Sequence, residues 1–420
     1  MPSVTGIRAQ DQVISILEES AWGEEEGTFE ADKEQQPYIS LADNVYPEEI
    51  GDGSMVYDFS ENEVGSGCWF PTAGFDISVY PSGSGQTDPA VTTAPAKTRF
   101  SKMLSACLGS EPVARTGTTV VDDGVTPTTT LFDEGVTKVH DAGDIVFVED
   151  PSNPLRHYAR PVASQEEDTV STPNHQKLTL GLALPAAPSG GDYIFPSMTI
   201  DLSEDAVVAL QGDILSRASA MCVKFFGACG SFSIPETAVN AAVQFDFKFR
   251  AGYGTRTALG SRVVPTSTRP EEDAGSEMLI AKFGSTVGTQ LRLGNWSFDL
   301  GREYQNDDNR PHDSGFGGWI PTASKLRLKL KVHHNQAVPA GFTATDWFDL
   351  FDAGGTENQF HFMMTVGRRY LGRSVALYLP ALKIITLPKR GEKDGLKTID
   401  LEFGVAGGLV TGAKAKMAIC

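Results

Sequence analysis

What most constrains the fold is a set of strand-forming blocks that occurs twice, in the same order, in one chain. GCWFPTAGFDISV begins at Gly67 and GGWIPTASKLRLKLKV at Gly317, so W-x-P-T-A precedes an alternating run twice, about 250 residues apart. The first run puts Phe75, Ile77 and Val79 on one face, and the second puts Leu326, Leu328, Leu330 and Val332 there. Because strand side chains alternate between faces, each run reads as a strand with one buried side. A short amphipathic helix follows each. In RFSKMLSACLG, Phe100, Met103, Leu104 and Cys107 share a side; in TDWFDLFDAGG, Trp347, Leu350 and Phe351 do. Both stop at Gly, which reaches the left-handed conformation that ends helices. Further on, FSIP (Phe232 to Pro235) aligns with ITLP (Ile385 to Pro388), and VQFDFKF (Val243 to Phe249) with KTIDLEF (Lys397 to Phe403). One such match arises by chance; several in the same order point to duplication.

The offset between copies falls from about 250 residues at W-x-P-T-A to about 153 at FSIP and ITLP, so the first copy holds roughly 97 extra residues. Those residues, about 110–202, are rich in Thr, Gly, Asp and Pro and contain the strand candidates DIVFVED (Asp144 to Asp150) and KLTLGLAL (Lys177 to Leu184). They read as a small β-subdomain inserted at the surface, where backbone stays solvated. The run SEDAVVALQGDILSRA (Ser203 to Ala218) fits either a helix or a strand-turn-strand. Residues 251–277, rich in Pro, Gly, Thr and Ser, read as a linker. The expected organisation is an acidic N-terminal arm over 1–50, a first copy over 51–250 with its insertion, the linker, and a second copy over 278–420. Val243, Phe245, Phe247 and Phe249 alternate with polar residues, the pattern of an antiparallel sheet with one wet face, so the expected class is mainly β, two tandem domains each flanked by a short α-helix.

The formal charge of −19 argues against a nucleic-acid reader, which needs clustered Lys and Arg. Residues 1–50 hold twelve acidic against two basic residues, which makes EEEGTFEADKEQQP read as a solvated or partner-bound arm. The five cysteines, Cys68, Cys107, Cys222, Cys229 and Cys420, have no framework spacing and read as free thiols of a reducing compartment. MPSVTGIRAQDQVISILEES lacks a basic head and apolar core, and no apolar run approaches the ~18 residues of a membrane span. Synthesis in a cytoplasm without a recognisable export signal is therefore expected.

No residue pattern carries chemistry. His333 and His334 sit together at a strand end, on opposite faces; His140, His157, His175, His312 and His361 have no ligand spacing; and Asp307, Asp308 and Asp313 lack the D-x-D-x-D-G order of a calcium loop. There is no nucleophile elbow and no P-loop. No catalytic, cofactor-binding or metal residue is assigned, and the chain is read as a non-enzyme. One contrast remains: the polar face after the second W-x-P-T-A is Lys325, Arg327, Lys329 and Lys331, whereas the first copy has Asp76 and Ser78. Either both faces are solvated, or the two copies neighbour each other in an assembly whose order these charges fix.

The blocks KTRFSKMLSACLG, VKFFGACGSFSIPETAVNAAVQFDFKF and SVALYLPALKIITLPKRGEKDGLKTIDLEF resemble the major tail tube proteins of long-tailed, non-contractile (siphovirus-type) bacteriophages, in particular those with a duplicated tube domain. The matching positions are Phe100 to Gly109, Gly227 to Gly230 and Pro380 to Gly395. The acidic arm and the insertion depart from the pattern. The resemblance implies β-sandwich or β-barrel tube domains that assemble side by side into rings, stacked as a conduit for DNA; type VI secretion tubes resemble the same fold. It implies three chains per ring with pseudo-sixfold symmetry in preference to six, tail tip and terminator proteins as partners, and a place in the virion tail after synthesis in the host bacterial cytoplasm. DNA would pass without sequence-specific binding, and a net negative bore is expected. The alternative is another virion β protein, a decoration, baseplate or adhesin subunit whose insertion binds a host surface. A carbohydrate-active β-sandwich enzyme would need clustered aromatic and carboxylate residues, which nothing in the sequence suggests.

Overall fold

A computed structural model describes residues 12–20, 27–44, 72–88, 90, 93–121, 128–135, 137–169, 174–216, 221–238, 241–258, 277–306, 318–366, 369–406 and 413–420. The chain is mainly β. In the first half come β1 (Gln12–Glu18), the single turn α1 (Phe29–Asp32), β2 (Glu34–Gln36), β3 (Ser40–Asn44), β4 (Thr72–Val79) and α2 (Arg99–Leu108). Then follow β5 (Val113–Arg115), β6 (Thr118–Thr119), β7 (Thr130–Asp133), β8 (Ile145–Asp150), β9 (Asn153–Asp168), β10 (His175–Leu180), β11 (Tyr193–Phe195) and β12 (Ser197–Asp201). The half closes with β13 (Leu210–Ser216), β14 (Met221–Ala238) and β15 (Phe245–Ala258). The second half holds β16 (Glu277–Lys282), β17 (Thr289–Gln290), β18 (Leu293–Asp299), β19 (Arg302–Asn306), β20 (Trp319–Ser324), β21 (Arg327–His333), α3 (Trp347–Ala353), β22 (Phe360–Val366), β23 (Val375–Ile384), β24 (Lys389–Lys393), β25 (Leu396–Val405) and β26 (Lys416–Ile419).

The pairing scheme of the first half recurs in the second, residue for residue. Phe245, Phe247 and Phe249 of β15 face Val79, Ile77 and Phe75 of β4; Ile399, Leu401 and Phe403 of β25 face Val332, Leu330 and Leu328 of β21. On the other edge of each, Leu41 of β3 faces Ile77, and Trp296 of β18 faces Leu330. β1 lies between β2 and β13 with Ile16 opposite Glu34 and Gly212, while β16 lies between β17 and β22 with Ile280 opposite Thr289 and Phe362. The bulge recurs too: the register slips between Leu210 and Gly212 against β14, and between Phe360 and Phe362 against β23. A one-residue slip would turn every buried side chain outward, so identical registers mean identical inward-facing sets.

The two helices follow the expected pattern. Thr98 caps α2 in a reciprocal box with Ser101, and Gly109 closes it at φ 77°. Phe100 packs edge-on against Phe245 and Phe247 of β15 at 5.2 and 6.0 Å. In α3 the Asp346 carboxylate accepts from the N–H groups of Phe348 and Asp349, and Trp347 stacks on Phe360. One hydrophobic core takes residues from both halves, among them Phe75, Phe247, Phe232, Phe298, Leu330 and Phe403.

Three expectations need correcting. Residues 1–50 are not a separate arm in the described portion: β1, β2 and β3 are strands of the main sheet, with Ile14 and Ile16 fully buried. The acid count hid an alternating V-I-S-I-L run. The linker bounds are narrower, since β15 continues to Ala258 and β16 begins at Glu277; 259–276 lie outside the described residues. The insertion is not a solvated surface unit. β6 to β11 form their own six-stranded sheet, but β5 and β12 belong to the main sheet, where β12 pairs with the C-terminal β26 and β26 with β23. Ile145, Phe147, Ala159 and Phe195 of the insertion share a buried cluster with Leu279, Met363, Ala376 and Cys420 of the second half. Of the open segment 203–218, residues 210–216 are strand β13.

Candidate functional site: a continuous sheet and its polar face

β14 carries the two halves into one sheet. Along one edge it bonds β15; along the other its first part bonds β13, and its last part bonds β18, with Ser233 opposite Asp299 and Ile234 opposite Phe298. The result is an antiparallel run of eight strands in the order β3, β4, β15, β14, β18, β21, β25, β24. Across the joint Phe232 packs on Phe298 at 5.6 Å, and Trp296 is 1% exposed. Among the described residues, β3 pairs only with β4 and β24 only with β25, so both outer edges of the run are free of strand partners.

The buried face of this run is apolar and the other face is a charge mosaic. Lys248 sits opposite Asp76, Lys331 opposite Asp400, Lys329 opposite Glu402, Arg327 opposite Asp299, and Lys389 opposite Asp400. Opposite charges directly across a ladder stabilise by roughly 0.2–1 kcal/mol each. Ser78 Oγ donates to Asp246 at 2.7 Å, and Asn295 donates to Glu236 across the joint between the halves. Side chains from five strands and the turn before β24, including Glu236, Asn295, Lys329, Thr386 and Asp400, line one groove of about 300 Å³ on this face. Lys393 of β24 reaches over β25 and β21 to donate to Gly294 O at 2.6 Å. Both observations bring the polar side chains of the β14-to-β24 part of the run together.

The basic strand singled out in the sequence is therefore internal. β21 is flanked by β18 and β25 of its own chain, and its cations face its own carboxylates. Lys325 lies outside the strand, paired to Glu303 at 2.7 Å. The second W-x-P-T-A is not the start of that strand either: Trp319 to Ala323 belong to β20, a hairpin with β19, and Pro321 lies within it opposite Tyr304, beside a bulge where the missing N–H is tolerated. Trp319 packs with Cys229 and Tyr304, whose hydroxyl donates to Gly230 O at 3.0 Å. Trp69 and Pro71 of the first copy, and Asp307, Asp308 and Asp313, lie outside the described residues.

A second polar feature was not legible in the sequence. Arg160 of β9, 1% exposed, forms a two-point pair with Glu277 of β16 at 2.8 and 2.9 Å and donates to Ala183 O and Ala159 O. Arg369 approaches the same carboxylate at 4.0 Å, and Tyr158 lies beneath both guanidinium groups. The backbone of β9 bonds there as well, with His157 N donating to Arg369 O. This pair clamps the six-stranded sheet onto β16.

Of the expected thiols, Cys107, Cys229 and Cys420 are buried and free; burial pushes the Cys107 and Cys229 thiols up and that of Cys420 up to about 12, which removes thiolate reactivity. His140, His157 and His361 are each buried, and their ring pKa values fall to about 4, 3 and 4 through desolvation. Among the described residues no group of three or more His, Cys, Asp or Glu side chains is arranged to hold a metal ion, and no helix is long and apolar enough to cross a membrane. The chain matches no protein-family model, and no curated protein is similar to it at a significant level.

Proposed function

We propose that this chain is a structural assembly subunit with two tandem copies of one β-domain, and that it polymerises into stacked rings as the tail tube of a long-tailed, non-contractile bacteriophage. The observation that carries the reading is the recurrence of one pairing scheme, bulge included, in two halves joined into a single continuous sheet with free edges among the described residues. A sheet with one polar face and open at both ends is suited to lining a bore, because ring closure removes strand edges that would otherwise pair without control. With two copies per chain, three chains give six similar places. The inserted β-sheet is a subdomain of the first copy, fixed to the second.

On this reading the polar face lines the bore, whose net negative charge is expected from composition and whose cations are matched across strands. A bore in which each cation is matched by a nearby carboxylate holds phosphate weakly, since binding DNA requires unmatched clustered cations. The inward docking of the insertion, with its apolar side buried on the second half, favours a tube subunit over an adhesin whose insertion projects to a host surface. Negative-stain electron microscopy of the purified chain tests the reading, with and without a tail-tip initiator: rings or hollow tubes are expected, and a persistent monomer at high concentration in both conditions overturns it.

A further inference from the structure

We infer that one chain joins the next by copying, in register, the joint that β14 and β18 make within the chain, with β24 of one copy bonded to β3 of another. This rests on the assembly reading above and adds which strands meet and which residues face each other. The argument follows from the equivalence of the two halves. β24 takes the place of the end of β14, because Lys389 faces Asp400 on β25 as Ser233 faces Asp246 on β15. β3 takes the place of β18, because Leu41 faces Ile77 as Trp296 faces Leu330.

The internal joint sets Ser233 against Asp299 and Ile234 against Phe298. Transferred to the free edges, it sets Lys389 against Asn44 and Arg390 against Asp43 of the neighbouring copy. Two independent features agree with that register. Arg390 lies in register with the buried Ile399 and Asp43 with the buried Phe75, while Lys389 is in register with Asp400 and Asn44 with Gly74. A one-residue slip would lose this match. The same register brings a basic residue opposite an acidic one, on edges of which β24 carries Lys389, Arg390 and Lys393 against Glu392, and β3 carries only Asp43. A charged edge discourages indiscriminate pairing while admitting a partner of opposite sign.

The occupant is a second copy and not the chain's own other edge, since β3 and β24 are the two ends of an eight-strand run, roughly 30 Å apart at the usual strand spacing. At the internal joint Trp296 is 1% exposed, whereas its counterpart Leu41 on the free edge is only half-buried, the state of a residue whose outer cover is missing.

The test is disulfide capture in the full chain. Facing residues of an antiparallel pair have Cα atoms about 4.5–5.5 Å apart, within disulfide reach. Asp43→Cys combined with Arg390→Cys, oxidised mildly after assembly, is expected to give covalent multimers on non-reducing gels, whereas either single variant gives at most a trace. Exchanging charges adds a readout independent of cysteine: Asp43→Arg or Arg390→Asp alone should lower the assembled fraction by an order of magnitude, and the double exchange should restore it. Assembled rings that cross-link through Asp43→Cys with Glu392→Cys instead, or through neither pair, overturn the register and leave the tube reading standing. A chain that does not assemble, with or without an initiator, overturns both.

Discussion

The two halves of this protein share a backbone plan and differ in what fastens them. In the first half β14 continues straight past Ser233 into the joint with β18, but in the second the corresponding path breaks between Ile384 and Lys389: β23 faces β25 as far as Ile384 opposite Phe403, and β24 resumes with Lys389 opposite Asp400. Two additional residues are taken up there, around Ile385 to Leu387. The first half, in turn, carries the six-stranded sheet of β6 to β11, which reaches across to the second. Register, which depends on the period-two placement of buried side chains, is kept; loops, edges and polar faces, which the core does not constrain, have diverged.

The largest expected effect lies at the clamp that has no counterpart in the other half. Arg160→Ala leaves the buried Glu277 carboxylate facing only Arg369, 4.0 Å away, and should lower unfolding stability by about 3–5 kcal/mol, whereas Arg160→Met with Glu277→Leu should recover most of it. Urea denaturation followed by near-ultraviolet circular dichroism measures both. If the double variant is as unstable as the single, apolar docking and not the ion pair limits the attachment of the insertion.

Equivalent positions at the two kinds of edge sharpen the comparison. Trp296→Ala removes a fully buried ring between β14 and β21 and should cost about 3–5 kcal/mol. Leu41→Ala, at the counterpart position on a free edge, should cost about 1 kcal/mol in the isolated chain, because less of its surface leaves water on folding. Equal losses would mean that β3 is already covered.

Acid should loosen the inserted sheet before the second half. His140 and His157 are neutral in the fold, with pKa values held near 4 and 3 by desolvation, below the ordinary value near 6.5. The unfolded chain therefore binds more protons in the window between, so stability is full above about pH 6.5 and is lost as pH falls. From pH 6.5 to 5 the loss is about 2 kcal/mol for each ring. His361, near 4 as well, gives β22 one such ring, whereas His157 of β9 and His140, whose backbone N–H donates to Gln165 of β9, give the other sheet two. Hydrogen exchange at pH 5 should show β8 and β9 opening ahead of β22; His157→Phe should reduce the acid sensitivity of β8 and β9, and an unchanged profile would assign it elsewhere.

Strand content, both helices and the order of the blocks were legible because each depends on local period and on capping residues such as Thr98, Asp346 and Gly109. What the alignment of W-x-P-T-A obscured was pairing across long separations. Ile14 and Ile16 belong to a strand that pairs on one edge with β2 and on the other with residues near 214, and nothing within reach in sequence signals the second. The acidic residues around β1 suggested solvation, although alternation alone decides which side chains go inside. Arg160 and Glu277, 117 residues apart, carry no local pattern at all.

The smallest effect is the most informative about the basic strand. Lys331 faces Asp400 on one side and Asn295 on the other, so Lys331→Asp should cost roughly 0.2–1 kcal/mol, and adding Asp400→Lys should return only part of it, because Lys389 also faces position 400. In the first half Asp76→Lys, which sets two lysines opposite each other at Lys248, should cost a similar amount. Thermal melts of the three variants read the energies, and sedimentation of the same samples reads assembly. If these charges serve only their own sheet, stability changes while the assembled fraction of the restored double variant matches the parent. A double variant that is stable yet fails to assemble would return the basic face to the contact between copies, and would mean that cross-strand matching inside the chain is secondary to a partner's surface.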